Sequence, residues 1–144
     1  MQSSKLYSYL LVSIQFSSIG VMLWLDYKLL ANPLALLFLA VGLTIGVYAI
    51  YCNKNFNIIP EIKEDACLVR HGIYRYIRHP MYFSLMVGFF GFFLLGSSQS
   101  RIFYLLMLTA LYLKADKEEK LWHCHDEEYA RYKERTKMFI PFIL

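Results

Sequence analysis

With 144 residues, the chain is long enough for a single domain, and 58% of those residues are hydrophobic. Soluble domains carry roughly 45–50% apolar residues, and the excess here lies in long runs, which indicates that the solvent is lipid. The formal net charge of +4, without a basic stripe interleaved with aromatic residues, argues against nucleic-acid binding.

Four apolar segments, taken in chain order, predict transmembrane helices at about residues 6–25, 33–52, 80–96 and 100–122. The first two have the roughly 20 residues that a helix needs to cross a bilayer. The apolar parts of the last two are shorter, so they need flanking residues to reach both surfaces. The sequence therefore predicts an all-α integral membrane protein that forms one domain, residues 1–144, in a lipid bilayer.

Lysine and arginine are concentrated in two polar segments, a loop at residues 53–79 and a tail at residues 123–144. The two tight turns between the helices, residues 26–32 and 97–100, hold only Lys28. The positive-inside rule therefore predicts a multi-pass protein whose loop, N-terminus and C-terminus are cytoplasmic. Apolar and charged residues alternate after the fourth segment. This pattern predicts an amphipathic helix from about Ala115 to about Lys133 at the membrane interface.

Residues 68–82, just before the third helix, form the first polar constellation, with three arginines, two histidines and three tyrosines. Pro80 suits the first turn of a helix, where its missing N–H costs nothing. The N-terminus of that helix, together with Arg78 and His79, favours a carboxylate or phosphate ligand. The alternative is a basic anchor that binds lipid headgroups, although an anchor does not need so many His and Tyr residues.

A second constellation, residues 114–120, lies where the fourth apolar segment ends. Lys114 and Glu118 are four residues apart and share a helix face, whereas Glu119 lies about 140° from Lys114 around the axis. The alternative is a solvated charged turn. However, carboxylates at the exit of a membrane helix usually face a polar cavity rather than lipid.

Other sequence features point to no further chemistry. His123 and His125 flank Cys124 and would point to opposite sides of a helix, so no metal site is predicted. Cys52, Cys67 and Cys124 form no CxxC pair, and we expect all three to be reduced. The dinucleotide, P-loop, serine-hydrolase and zinc-protease motifs do not occur.

The second half of the chain carries, in order, Gly72-x-Tyr74-x-x-x-Arg78-His79-Pro80-x-Tyr82, a helical hairpin, Glu118-Glu119 and Glu128-Tyr129-x-x-Tyr132. This combination resembles the isoprenylcysteine carboxyl methyltransferase family, which is similar to membrane phospholipid and thiol methyltransferases. The resemblance covers about residues 54–144. It implies a membrane enzyme that uses S-adenosyl-L-methionine to methylate a lipophilic or small thiol, carboxyl or amine acceptor.

The resemblance also implies which residues form the site. It places the cofactor among six residues, Val69, Gly72, Tyr74, His79, Tyr82 and Glu118. It assigns Lys114 and Glu119 to catalysis at the substrate end of the pocket. The family has an arginine where this chain has Lys114, and a lysine cannot hold a carboxylate through two parallel hydrogen bonds. The faces of Tyr74 and Tyr82 would favour a sulfonium cation.

Two other functions fit parts of the sequence. One is an NADPH-dependent membrane reductase, because sterol-reductase-like proteins have a similar C-terminal region, although they are usually longer. The other is a non-catalytic adaptor or lipid-binding protein, in which residues 114–120 are only solvated. The enzyme hypothesis requires the segment before the third helix and the exit of the fourth to meet. We therefore expect His79 and Glu118 to lie in one pocket.

Overall fold

The computed structural model describes residues 2–53, 58–61 and 67–141, with side chains described from residue 5 onward. Parts of the predicted loop (54–57 and 62–66) and the last three residues of the predicted tail lie outside these ranges. The described chain contains five α-helices, α1 (Gln2–Leu25), α2 (Pro33–Cys52), α3 (Pro80–Leu95), α4 (Ser98–His125) and α5 (Tyr129–Arg135). Short 3-10 helices occupy Tyr27–Ala31 and Gly72–Arg75. The prediction of an all-α fold is confirmed for this part of the chain.

Two helices are long and apolar enough to cross a membrane. They cover Lys5–Leu25 in α1 and Pro33–Cys52 in α2, and only 28% and 17% of their most apolar windows is buried inside the protein. Their outward surfaces are therefore largely apolar, as lipid requires. Helix α3 is also apolar but has 16 residues, or about 24 Å of helix. Four transmembrane helices therefore remain a prediction.

Capping residues set where the helices begin. The side chain of Asn32 accepts hydrogen bonds from the backbone N–H groups of Leu34 and Ala35, at 2.9 and 3.2 Å, and Pro33 occupies the first turn of α2. Ser97 caps α4 by accepting from the N–H of Ser100 at 3.3 Å. These contacts satisfy N–H groups that have no partner within the helix.

Small residues allow α2 and α3 to pack closely along their lengths. A Cβ atom added to Gly42 would lie 2.5 Å from the Cα of Gly88, and one added to Gly91 would lie 2.9 Å from the Cα of Ala35. The two backbones are therefore in direct contact, as is common where membrane helices associate. Helix α1 packs mainly along α4. The main apolar core, between the helices, includes Met22, Phe92, Tyr104, Met107 and Leu111.

The predicted amphipathic helix from Ala115 to Lys133 is wrong. Helix α4 continues without a break to His125 and buries Ala115, and α5 begins only at Tyr129. Between them, Asp126 has an extended backbone and its side chain accepts from the N–H of Glu128 at 2.8 Å, which forms a turn. The charged end of α4 therefore faces the protein interior on one side, where Lys114, Ala115 and Glu119 are buried.

Candidate active site

The beginning of α3 and the charged end of α4 meet at His79, Glu118 and Glu119. The imidazole Nδ1 of His79 lies 3.4 Å from the Oε2 of Glu118, and its Nε2 lies 3.6 Å from the Oε1 of Glu119. His79 is the residue immediately before α3, and its backbone N–H donates to the carbonyl of Met138 at 3.0 Å. The two segments that were expected to share a pocket are therefore in contact, and the C-terminal segment helps to position the histidine.

Tyr82 completes this cluster from the first turn of α3. Its phenol donates a hydrogen bond to the Oε1 of Glu118, and its ring stacks on His79 with 5.4 Å between ring centroids and 3° between planes. The side chain of Glu118 remains 19% exposed, whereas that of His79 is 7% exposed. The carboxylate therefore stands at the boundary between a buried cluster and solvent.

Glu119 also joins this cluster to an ion-pair network with Arg78 and Lys133. Its Oε1 accepts from the Nε of Arg78 at 2.7 Å, and its Oε2 lies 2.7 Å from the Nζ of Lys133. Arg78 also donates through Nη1 to the backbone carbonyl of Thr136 at 2.5 Å. Both carboxylate oxygens of Glu119 are therefore engaged by cations of the chain. This geometry suits a residue that positions the others more than one that contacts substrate.

Lys114 lies deeper, in the interior next to Tyr82. Its side chain is 1% exposed, its Nζ donates to the Oε1 of Gln15 at 2.6 Å, and the same nitrogen lies 5.0 Å from the centroid of the Tyr82 ring. The ring of Tyr82 thus already carries a cation–π contact and a stacked imidazole. The contact of Tyr82 with a sulfonium therefore stays a prediction, and His79 and Lys114 are its neighbours within the chain.

The remaining predicted cofactor residues cluster around the end of α2. Tyr74 is buried, and its hydroxyl accepts from the Nδ2 of Asn53 at 3.1 Å. The pKa of Tyr74 is raised to about 12, mainly by burial. The charge of Glu118 also raises it, whereas the hydrogen bond from Asn53 lowers it. Tyr74 is therefore a neutral phenol near Glu118.

Gly72 and Val69 pack in the same region. Gly72 has a φ of 59°, in the left-handed region that favours glycine, and an added Cβ would lie 2.5 Å from the Sγ of Cys52. Val69 is partly buried against the apolar cluster of Ala49, Cys52 and Tyr74. These two residues therefore shape the loop against α2, and the structure gives them a packing role.

The buried imidazole of His79 has an unused hydrogen-bonding atom. Among the described residues, its Nε2 has no hydrogen-bond partner, since 3.6 Å to Glu119 is too long for one. Burial opposes protonation, but the contacts and charges of Glu118 and Glu119 outweigh it and raise the pKa of His79. A protonated imidazole held between two carboxylates can donate to a ligand atom from Nε2.

Three residues of the network were not among the predicted site residues: Gln15, Arg78 and Lys133. Arg78 stands inside the motif but was assigned only to the N-terminus of α3. Gln15 had a weak signal as a polar side chain in an apolar helix, because such residues form contacts between membrane helices. Lys133 had no signal, since its contact with Glu119 depends on how α5 folds back.

The fold and the cluster together define a helical membrane protein with a buried polar site at the end of its apolar helices. A family profile for phospholipid methyltransferases matches residues 30–124, more than half of the chain, and the chain belongs to this family. The match includes α2, α3 and all of α4 up to Cys124, and thus His79, Tyr82, Lys114 and the Glu118–Glu119 pair. No curated protein and no solved structure matches the chain.

This family lies within the wider isoprenylcysteine carboxyl methyltransferase-like group, so the resemblance found in the sequence is confirmed at that level. Membership supports methyltransferase activity in a membrane protein. Gln15 on α1 and Lys133 on α5 lie outside the matched residues. The contacts that these two residues make with the site are therefore known from the structure alone.

Proposed function

We propose that the chain transfers a methyl group from S-adenosyl-L-methionine to a lipophilic or small thiol, carboxyl or amine acceptor, as an isoprenylcysteine carboxyl methyltransferase-like enzyme. The observation that carries the proposal is the buried His79, whose Nε2 has no hydrogen-bond partner in the described chain, beside the partly exposed Glu118. This pair lies within the residues that match the methyltransferase family.

The residues present fit such a cofactor. When bound, S-adenosyl-L-methionine supplies a methyl group on a sulfonium, and its sulfur keeps the bonding electron pair as the thioether product once the acceptor has taken the methyl. His79 would donate from Nε2 to an oxygen or nitrogen of the cofactor. Glu118 would attract its positive charge or accept from its hydroxyl groups, and Tyr74 would line the same region.

The protein's contribution to this reaction is mainly positional. Methyl transfer needs the acceptor atom in line with the bond that breaks, and holding two reactants in that geometry supplies up to about 7–11 kcal/mol of rate acceleration. The pair Arg78–Glu119 fixes the segment that ends in His79, and Tyr82 holds Glu118. We infer that Lys114 lies on the acceptor side of Tyr82. Its hydrogen bond to Gln15 would hold the lysine in that position.

We also propose that α1 to α4 all cross the membrane, with the described loop and both termini on the cytoplasmic side. The polar site would then lie at the cytoplasmic edge of the bilayer. A lipophilic acceptor would arrive from the membrane and a polar cofactor from the cytoplasm. The family match favours a methyltransferase over an NADPH-dependent reductase or a non-catalytic lipid-binding protein.

Calorimetry with S-adenosylhomocysteine tests cofactor binding in a detergent-purified sample. The wild-type chain should bind, and Glu118→Gln should bind about tenfold or more weakly, since a hydrogen bond to a charged group is worth roughly 1.5–3 kcal/mol. Glu134→Gln, at an exposed position of α5, is the matched control and should bind like wild type. A folded wild-type sample that does not bind S-adenosylhomocysteine but is stabilised by NADPH would overturn the proposal.

Identifying the acceptor needs a second experiment. Membranes containing the protein are incubated with methyl-labelled S-adenosyl-L-methionine and an extract of lipids and small thiols, and the labelled product is isolated. We expect one product class that disappears when His79→Ala replaces the wild type. No labelled product from any acceptor class, with cofactor binding intact, would contradict transferase activity.

A further inference from the structure

A cavity of about 480 Å³ lies between α5 and the segment that precedes α3. Its lining includes four arginines, Arg70, Arg75, Arg131 and Arg135, and a single carboxylate, Glu128. The proposed methyl-transfer site uses none of these residues. The concentration of guanidinium groups around one concave space therefore needs its own explanation.

The charges in this cavity are not balanced by the described chain. Arg70 forms ion pairs with Glu128 and, at 3.7 Å, with Asp126. Within the described residues, no carboxylate lies within salt-bridge distance of Arg75, Arg131 or Arg135. The seven ion pairs of this part of the chain all involve other cations. Among the described residues, these three arginines therefore line the cavity without an ion-pair partner, and the lining carboxylate of Glu128 is paired with Arg70.

Contacts behind the cavity fix the helix that carries two of these arginines, whose side chains are exposed. Arg131 and Arg135 are four residues apart on α5, where like charges repel and weaken a helix. The helix is nevertheless fixed, because the hydroxyl of Tyr132 donates to the carbonyl of Tyr74 at 2.7 Å and Thr136 accepts from Arg78. Two exposed guanidinium groups are thus carried side by side on an anchored helix, and an anion bound between them would reduce their repulsion.

We propose that this cavity binds a phosphate group, carried by an anionic lipid headgroup or by a soluble phosphate compound. Guanidinium groups match the planar, two-oxygen geometry of phosphate and are its preferred partners in proteins. The volume exceeds that of a bare phosphate and leaves room for the group attached to it. The lining residues are separate from the proposed methyl-transfer site, although occupancy would anchor α5 and with it Lys133, which contacts Glu119.

Binding is measured on the full chain in neutral detergent, by the change in unfolding temperature and by titration. The probes are short-chain phosphatidic acid, short-chain phosphatidylcholine and inorganic phosphate. The test variant is Arg131→Gln/Arg135→Gln. The control, Lys28→Gln/Lys120→Gln, removes the same charge at exposed positions outside the cavity. We expect phosphatidic acid to bind wild type and control equally and the test variant about tenfold more weakly.

Comparison of the probes distinguishes the two possible sources of the phosphate. Tight binding of phosphatidic acid with weak binding of inorganic phosphate supports a lipid headgroup, and the reverse order supports a soluble phosphate compound. Equal binding of every probe by the test variant and the control would overturn the proposal. If the test variant does not fold, Arg75→Gln leaves α5 intact and should still lower the affinity, and unchanged affinity there would overturn the proposal as well.

Discussion

The Nε of Arg78 lies 2.7 Å from the Oε1 of Glu119, and the two side chains are 8% and 7% exposed. They are 41 residues apart in the sequence. This buried ion pair joins the residue before His79 to the end of α4, so the position of the histidine depends on a charge in another helix. Each of the two buried charges thus has a counter-charge within the chain.

Removing the carboxylate charge of Glu119 should destabilise the protein. In Glu119→Gln, Arg78 stays buried without a counter-ion, and we expect a loss of about 3 kcal/mol in the free energy of unfolding. Thermal unfolding in detergent measures this loss. Glu134→Gln, an exposed position in the same charged region, should change stability little. Equal effects of the two substitutions would contradict a buried ion pair.

The stability of the protein should depend on pH through His79. Its pKa is raised from 6.5, so the folded state binds this proton more tightly than the unfolded state. The contribution is present in full below about pH 6.5 and is lost as the pH rises through the folded-state pKa. The difference in stability between wild type and His79→Asn should therefore shrink as the pH rises. A difference that stays constant with pH would show that folding does not change the pKa of His79.

Gly72 should not tolerate a side chain. Alanine at a φ of 59° costs about 1–3 kcal/mol, and its Cβ would also meet the Sγ of Cys52 at 2.5 Å. We expect Gly72→Ala to lower the unfolding temperature and to weaken S-adenosylhomocysteine binding, because the loop would move off α2. Gly20→Ala is the control, since nothing lies within 4 Å of the added atom. Wild-type stability in Gly72→Ala would argue against this loop conformation.

Asp26 should stabilise the opposite end of the bundle without affecting the site. Its carboxylate accepts hydrogen bonds from the N–H and hydroxyl of Ser97, both at 2.9 Å, and from the hydroxyl of Ser100. Asp26→Asn should therefore cost roughly 1–3 kcal/mol of stability. Binding of S-adenosylhomocysteine, measured by calorimetry well below the unfolding temperature, should stay unchanged. Weaker binding would mean that the two ends of the bundle are coupled.

Hydropathy and capping signals predicted most of the helical framework. The apolar runs indicated α1 and α2, and Pro80 indicated the start of α3, because these signals are local in sequence. The end of α4 could not be predicted in the same way. Its charged residues have the pattern of a surface helix, but their partners come from the loop and from α5, so one face is buried.

The site was only partly accessible to sequence reasoning for the same reason. His79, Tyr82 and Glu118 stand in motifs and could be named, whereas Gln15 contacts Lys114 across 99 residues of sequence. No spacing rule connects positions so far apart. The packing roles of Val69 and Gly72 at the end of α2 likewise depend on the folded loop.

The close approach of Gly42 and Gly88 limits where a molecule could pass between the helices. Where two backbones touch, no rotation of a side chain can open a gap, so the seam between α2 and α3 is closed to a fatty-acyl tail. The seam between α3 and α4 is instead filled by rings such as those of Phe90 and Tyr104. Anything that passed between α3 and α4 would therefore only have to move side chains, whereas passage between α2 and α3 at Gly42 would require the helices themselves to separate.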